Sequence, residues 1–172
     1  LLSRMSDSLT LAQSNAARFS SAQDDVFGRI ATRYDLLCDL FSLWIHRRWK
    51  RHVAAVVAAE PWHDLLDVAS GTGDIVLRVL QRSPDAVARR IVVSDISPQM
   101  LAIARRRLAR CAHDVHLRQL DAHAMSSVPA NSIDLYSISL GLKICNRALV
   151  LAEALRVLRP GGRVVLVALP RK

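Results

Sequence analysis

Asp67, Gly71, Gly73 and Asp95 are the residues whose types and spacing most directly suggest chemistry. Leu65-Leu66-Asp67-Val68-Ala69 is a short apolar run that holds an acid, and Ser70-Gly71-Thr72-Gly73-Asp74 is a glycine-rich turn behind it. A helix is expected from about Asp74. Glycine in such a turn lets a ligand approach the main chain with no Cβ in the way. The helix that opens next points unsatisfied N–H groups at the same spot. Together these features describe a nucleotide-type pocket at the carboxyl end of a first parallel strand. The alternative is an ordinary strand-to-helix turn.

The details narrow the nucleotide. A dinucleotide fingerprint needs a third glycine, and Val76 stands there instead. A P-loop needs a lysine after its last glycine, and none is near. The remaining D-x-x-x-G-x-G pattern, Asp67 to Gly73, resembles the first motif of class I methyltransferases that use S-adenosylmethionine. That cofactor has no phosphates, and its amino and carboxylate ends suit an acid beside a turn of backbone N–H groups. A second acid closes the apolar run Ile91-Val92-Val93-Ser94-Asp95. It lies about 20 residues past the glycines, where a carboxylate can accept from both ribose hydroxyls. The alternative is an exposed acid before a helix that starts at Ser97-Pro98.

These residues need strands and helices to hold them, and the chain supplies both. After Trp62 the pattern alternates: strand 63–69, helix 74–82, strand 90–95, helix 98–110, strand 114–119, strand 133–139, helix 147–158, strand 162–169. Pro98 suits the first helical position, and Arg159-Pro160-Gly161-Gly162 reads as a helix stop followed by a turn. Such alternation predicts a mostly parallel sheet with helices on both faces. Ahead of it, a helix over 42–59 is expected, barred from continuing by Pro61. The division is 1–22 as a flexible tail or the remnant of a transit peptide, 23–60 as a helical cap and 61–172 as the core.

Composition bounds the partners. At 172 residues the chain suits one domain with a real core. No apolar run approaches the ~20 residues of a membrane-spanning helix. The net charge is +9, mostly through arginine, which attracts an anionic membrane or nucleic acid. A coding bias toward Arg and Ala is the other explanation. The densest basic cluster, His46-Arg47-Arg48-Trp49-Lys50-Arg51-His52, is either a solvated face with Trp49 turned inward or a lipid-docking face with Trp44 and Trp49 at the interface. Cys38, Cys111 and Cys145 show no paired spacing, so a reducing compartment and no metal site are expected. His113 and His116 read as solvated strand-edge residues.

Longer blocks name a family. Residues 26–37, from Val26-Phe27-Gly28-Arg29 to Tyr34-Asp35-Leu36-Leu37, and the stretch His46 to Arg51 resemble the start of the ubiquinone/menaquinone biosynthesis C-methyltransferases. Asp67 to Asp74 and Asp95-Ile96-Ser97-Pro98-Gln99-Met100-Leu101 resemble that family's two cofactor motifs, and Asp121-Ala122 its adenine-contacting pair. Asn131-Ser132-Ile133-Asp134 and Glu153 to Gly162 are similar to its fourth strand and its late helix and turn. The resemblance implies a Rossmann-like class I methyltransferase fold with S-adenosyl-L-methionine as cofactor. It implies cofactor contacts from Asp67, Gly71, Thr72, Gly73, Asp95, Asp121, Ala122 and Ser139, with Thr72 and Ser139 as hydroxyl donors beside the methionine end. Tyr34, Asp35 and Lys143 fall on the acceptor side, where Lys143 can hold a developing phenolate by charge. The implied reaction is methyl transfer to a ring carbon of a polyprenylated quinol.

Three departures stand out. Ser70 replaces the usual first glycine. Lys143-Ile144 replaces an Arg-Asn pair, and lysine does not reproduce arginine's planar fork. The chain also stops at Lys172, where family members continue into an antiparallel hairpin. If the chain is complete, strand 162–169 is a bare edge, and a two-fold homodimer through it is expected. A non-catalytic subunit that binds cofactor or quinone is the alternative function. An RNA-binding role rests on charge alone, with few aromatics beside the basic runs, so nucleic acid is not an expected partner. The expected location is the cytoplasm or an organelle, at the membrane periphery.

Overall fold

The computed structural model of the protein describes residues 45–59, 61–82, 89–111, 114–139, 141–143 and 145–167. Tyr34, Asp35, Cys38, Trp44, His113 and the division at residue 22 lie outside the described residues.

The expected alternation is present. Helix α1 (Ile45–Ala59) precedes β1 (Asp64–Val68), α2 (Asp74–Arg82), β2 (Arg90–Asp95), α3 (Pro98–Leu108) and β3 (Asp114–Gln119). After a long loop come β4 (Ile133–Ser139), a 3-10 turn (Gly141–Lys143), α4 (Arg147–Val157) and β5 (Leu158–Val167). The strands form one sheet in the order β3-β2-β1-β4-β5, and every pairing is parallel. The chain therefore builds outward from β1 in one direction, then crosses back to build outward in the other. The reversal falls between β1 and β4, and open α/β sheets bind their ligands at such a switch point, beyond the carboxyl ends of the strands. No helix among the described residues is long and apolar enough to cross a membrane.

The sheet is buried on both faces because its strands carry apolar residues at successive positions. Leu65, Ile91 and Val93 pack with α1, α2 and α3 on one side. Leu66, Val92 and Tyr136 pack with α4 and the loop after β3 on the other. Each fully buried side chain of this size contributes roughly 1.5–3 kcal/mol. Local signals set the element ends. Ser97 caps α3 by accepting from Met100 N, with Pro98 in the first turn, and Asn146 caps α4 through Ala148 N and Leu149 N.

One boundary differs from expectation. Residues 159–162 were expected to form a turn, yet β5 starts at Leu158, directly after α4. Ile133 pairs with Leu158 and Leu135 with Arg163, so the residues between are accommodated as a register shift. Gly161, at φ 81°, takes the left-handed backbone there. The Pro-Gly-Gly signal marks a bulge at the strand entrance rather than a turn before it.

An ion-pair knot ties the opposite end of the sheet, where β1 and β4 begin. Asp134 Oδ2 accepts from His63 N at 2.9 Å and Asp64 N at 3.0 Å. Arg159 reaches both Asp134 (2.6 Å) and Asp64 (2.9 Å), and Arg90 adds a second partner to Asp64 at 2.6 Å. Partial burial raises the pKa of Asp134, but the two backbone N–H groups and Arg159 outweigh it and hold the carboxyl below its ordinary value. A depressed carboxylate stabilises the fold above its unfolded pKa and loses that contribution as pH falls through the folded one. We therefore expect Asp134→Asn to cost about 1–3 kcal/mol near neutral pH. In denaturant titrations its difference from the parent should shrink once the pH drops below about 4; a difference independent of pH would mean that the charge is not what matters.

Candidate functional site

The carboxyl ends of β1, β2 and β4 converge, and each brings a polar group. Asp67, near the end of β1, is 1% exposed. Its carboxylate accepts short hydrogen bonds from the hydroxyls of Ser70, in the turn, and Ser137, on β4. Burial is the dominant influence on this acid and pushes its pKa up to about 6, against the two hydroxyls and with help from the nearby charge of Asp95. Asp67 thus sits beneath the glycine turn, bound to the protein's own hydroxyls.

The turn itself is tightly drawn. Gly73 N donates to Ser70 O at 3.1 Å, and Ser70 N donates to Ser94 O at 3.0 Å. Gly71 has φ 59°, and a side chain there would point into open space. Gly73 has φ 73° and faces α3, where a Cβ would lie 3.2 Å from Ala104 and Leu108. The two glycines therefore do different work: Gly71 leaves the cradle open, and Gly73 lets the start of α2 pack on α3. Thr72 also has a structural contact. Its Oγ1 accepts from Arg107 Nη1 at 2.9 Å and its side chain is buried, so it ties the turn to α3.

Asp95 closes β2 and is buried. Its Oδ2 accepts from Gly71 N at 2.8 Å and its Oδ1 from Ser97 N at 2.9 Å. A carboxylate offers about four lone-pair sites, so the backbone contacts do not saturate it. Burial raises the pKa of Asp95, and the backbone N–H groups of Ser97, Gly71 and Ile96 oppose that rise. Two desolvated acids at neighbouring strand ends favour a ligand that carries positive charge and hydroxyl donors.

Asp121 and Ala122 follow β3. Asp121 Oδ1 accepts from His123 N at 2.9 Å and meets His123 Nδ1 at 2.7 Å. Its Oδ2 and the N–H of Ala122 have no hydrogen-bond partner among the described residues, which leaves an acceptor and a donor side by side. Ser139 ends β4, half-buried, beyond the β1–β4 pairing. Gly141 then runs so close to Ala69 that any Cβ at 141 would collide with the Ala69 methyl. The loops after β1 and β4 are therefore pressed together at the switch point. Lys143 ends the 3-10 turn of this same loop.

Several residues that shape the site were not picked out in the sequence. Arg156 on α4 donates from Nη1 to Val128 O at 2.9 Å and from Nη2 to Met125 O at 2.8 Å. Glu153 accepts from Met125 N at 2.6 Å and from Arg156 Nε at 2.8 Å. This pair pins the loop that carries Asp121 and Ala122 to the helix. The i, i+3 spacing of Glu153 and Arg156 is visible in sequence; their shared target is not. His123 and Ser137 were missed for the same reason, and Ser70 was noted only as a departure from the family's glycine.

The buried acid gives a stability test. A carboxyl whose folded pKa is raised stabilises the fold fully below its unfolded value near 3.8 and loses that contribution as pH rises to about 6. Asp67→Asn keeps both serine contacts in neutral form. We expect it to stabilise the fold at pH 7 by up to about 3 kcal/mol, from roughly two pKa units at 1.36 kcal/mol each. Between pH 4 and 6 the parent should lose stability relative to the variant; parallel curves would remove Asp67 as the source.

The sequence model of the ubiE/COQ5 methyltransferase family matches residues 13–171. A ubiquinone/menaquinone biosynthesis C-methyltransferase from Dinoroseobacter shibae is 44% identical over 144 residues, 83% of this chain and 56% of its own length. A mitochondrial 2-methoxy-6-polyprenyl-1,4-benzoquinol methylase from Schizosaccharomyces pombe is 36% identical, over 80% of this chain and 49% of its own. The chain thus spans about half the length of these curated relatives. Among solved structures, a putative S-adenosyl-L-methionine-dependent methyltransferase from Methanococcus maripaludis superposes with TM-score 0.65 at 17% identity, over 81% of this chain and 62% of that one. That likeness speaks to the fold alone. Family and fold together imply S-adenosyl-L-methionine as the cofactor, and the open cradle at Gly71 beside two desolvated acids suits its hydroxyls and its cationic end. By the extent of the match, this chain belongs to the ubiE/COQ5 methyltransferase family.

Proposed function

We propose that the protein methylates a ring carbon of a polyprenylated benzoquinol or naphthoquinol in ubiquinone/menaquinone biosynthesis. The observation that carries this reading is the joint placement of Asp95, the Gly71 turn and the Asp121-Ala122 pair around one switch point, in a chain 44% identical to a quinone-pathway C-methyltransferase. In this reading Asp95 takes the ribose hydroxyls on its spare lone pairs. Asp121 Oδ2 accepts from the adenine amino group while Ala122 N donates to the ring. The bound cofactor supplies a sulfonium methyl as electrophile. The protein's share is to hold the acceptor in line and to remove a proton from a ring hydroxyl, which makes the ortho carbon nucleophilic. The methyl would pass to that carbon with its bond to sulfur breaking, and the ring carbon would release its hydrogen as a proton. Lys143, Tyr34 and Asp35 are the acceptor-side candidates of this reading, with Lys143 balancing the developing phenolate by charge. The alternative of a non-catalytic subunit gains no support, since the relatives are named for methyl transfer.

The test is calorimetry with S-adenosylmethionine beside methyl transfer to a short-chain polyprenyl hydroquinone. Asp95→Ala should lower cofactor affinity roughly ten- to a hundred-fold, about 1.5–3 kcal/mol for a lost charged acceptor. Binding that survives this substitution unchanged would remove Asp95 from the site. Cofactor binding without any product from either quinol class would sink the substrate assignment and leave the cofactor assignment standing.

Such an acceptor resides in a lipid phase, and α1 offers a suitable contact. Trp49 is 39% exposed and Val56 36%, one stripe on a helix without an acidic residue, flanked by exposed Arg48, Arg51 and His52. We propose that this face rests on anionic lipid, each basic residue contributing about 1 kcal/mol near the surface. Sedimentation with phosphatidylglycerol-containing vesicles should show binding that weakens with salt and with Arg48→Gln plus Arg51→Gln. Equal partition onto neutral phosphatidylcholine vesicles would contradict it.

A further inference from the structure

His123 takes no part in the chemistry described so far, yet it joins the loop after β3 to the cap of α4. Its backbone N donates to Asp121 Oδ1 at 2.9 Å, and its ring Nδ1 meets the same oxygen at 2.7 Å. Its Nε2 accepts from Asn146 N at 3.0 Å. Asn146 is the cap of α4 and follows the 3-10 turn that holds Lys143.

The contacts assign the tautomer. The backbone N–H of Asn146 can only donate, so Nε2 of the neutral ring carries no proton. Nδ1 is then protonated and donates to the carboxylate. One rigid ring thus supplies a donor on the side of Asp121 and an acceptor on the side of the α4 cap. Both donors from His123 fall on Oδ1, so this oxygen is occupied and the carboxylate is fixed in rotation. Oδ2 takes neither of these donors.

We propose that His123 is a positioning residue: it orients the Asp121 carboxylate for the adenine amino group and ties that orientation to the loop of residues 141–146. The proposal deepens the cofactor reading above and rests on it. Without the ring, only the backbone N–H of residue 123 still holds Oδ1, and the carboxylate plane is free to tilt away from the direction that meets the amino group. Asparagine is the informative replacement. Its side-chain N–H₂ stands near the place of Nδ1 and can still donate to Asp121, but it does not reach the Asn146 N–H. Glutamine does the reverse: its amide oxygen reaches the region of Nε2 and leaves Asp121 without the ring donor.

The test measures recognition of the amino group and not affinity alone. Calorimetry on the purified chain uses S-adenosylhomocysteine and S-inosylhomocysteine, which differ at the exocyclic group of the purine. We expect the parent to prefer the adenine ligand by tenfold or more. His123→Ala and His123→Gln should reduce that preference to twofold or less, and His123→Asn should keep most of it. A residue with a merely structural role would weaken both ligands together and leave the ratio unchanged. Parent-like discrimination in a folded His123→Ala variant overturns the proposal. So does a parent that binds both ligands equally well, while leaving the cofactor reading intact. A parent that binds neither ligand overturns the cofactor reading itself, and this inference with it. Thermal unfolding of each variant establishes that it is folded, and the glutamine variant carries the test if alanine is too disruptive.

Discussion

The desolvated carboxylate of Asp67 is the interaction on which the rest of the site depends. It joins the turn after β1 to the neighbouring strand β4 through Ser70 and Ser137. That link spans the point where the direction of sheet building reverses. Asp95 does the equivalent work one strand over, holding the start of the glycine turn and the start of α3 on its two oxygens. Both acids are held against the preference of a buried environment for neutral groups. The fold bears that cost, and a ligand with positive charge and hydroxyl donors would relieve part of it. Stability and function thus pull in opposite directions at the same two residues, the usual condition of a binding site built on charge.

The order of elements was legible in the sequence because its signals are local. β1 and β2 are continuous apolar runs that end in acids, and α3 opens with a serine cap and a proline. The acids at positions 67 and 95 and the glycines at 71 and 73 were legible for the same reason. The signals failed where two distant segments share one geometry. Pro160-Gly161-Gly162 carries the residues of a turn, but pairing with β4 draws it into β5 as a bulge. The link from Thr72 to Arg107, 35 residues away, has no sequence signal either. Ser137 carries no motif at all; it matters because β4 lies beside β1.

The adenine side of the site shows the same dependence on tertiary structure. The loop after β3 has no regular structure of its own over residues 120–132, and helix α4 holds it in shape. Arg156 takes two of its carbonyls, Glu153 takes one of its N–H groups, and His123 reaches across to the cap of the same helix. α4 also carries Leu149, Leu151 and Leu155 on exposed positions, so its packing against the sheet rests on few residues, among them Val150, Ala154 and Val157. The precision of the pocket at this edge is therefore set by polar contacts to a helix and not by a deep apolar core beneath it.

Gly141 and Ala69 carry a consequence for how this site can be altered. A Cβ on Gly141 would collide with the Ala69 methyl, so there is room for one methyl group between them, and the chain has placed it at 69, on a residue whose φ of 50° suits glycine better than alanine. The arrangement is therefore not the least strained way to fill the space. Moving the methyl, with glycine at 69 and alanine at 141, would keep the volume and relax the backbone. Adding a methyl without removing the other would wedge the two loops apart. The two positions behave as a single variable for anyone redesigning the pocket: neither can be enlarged without its partner, and a library that varies them independently will consist mostly of broken sites.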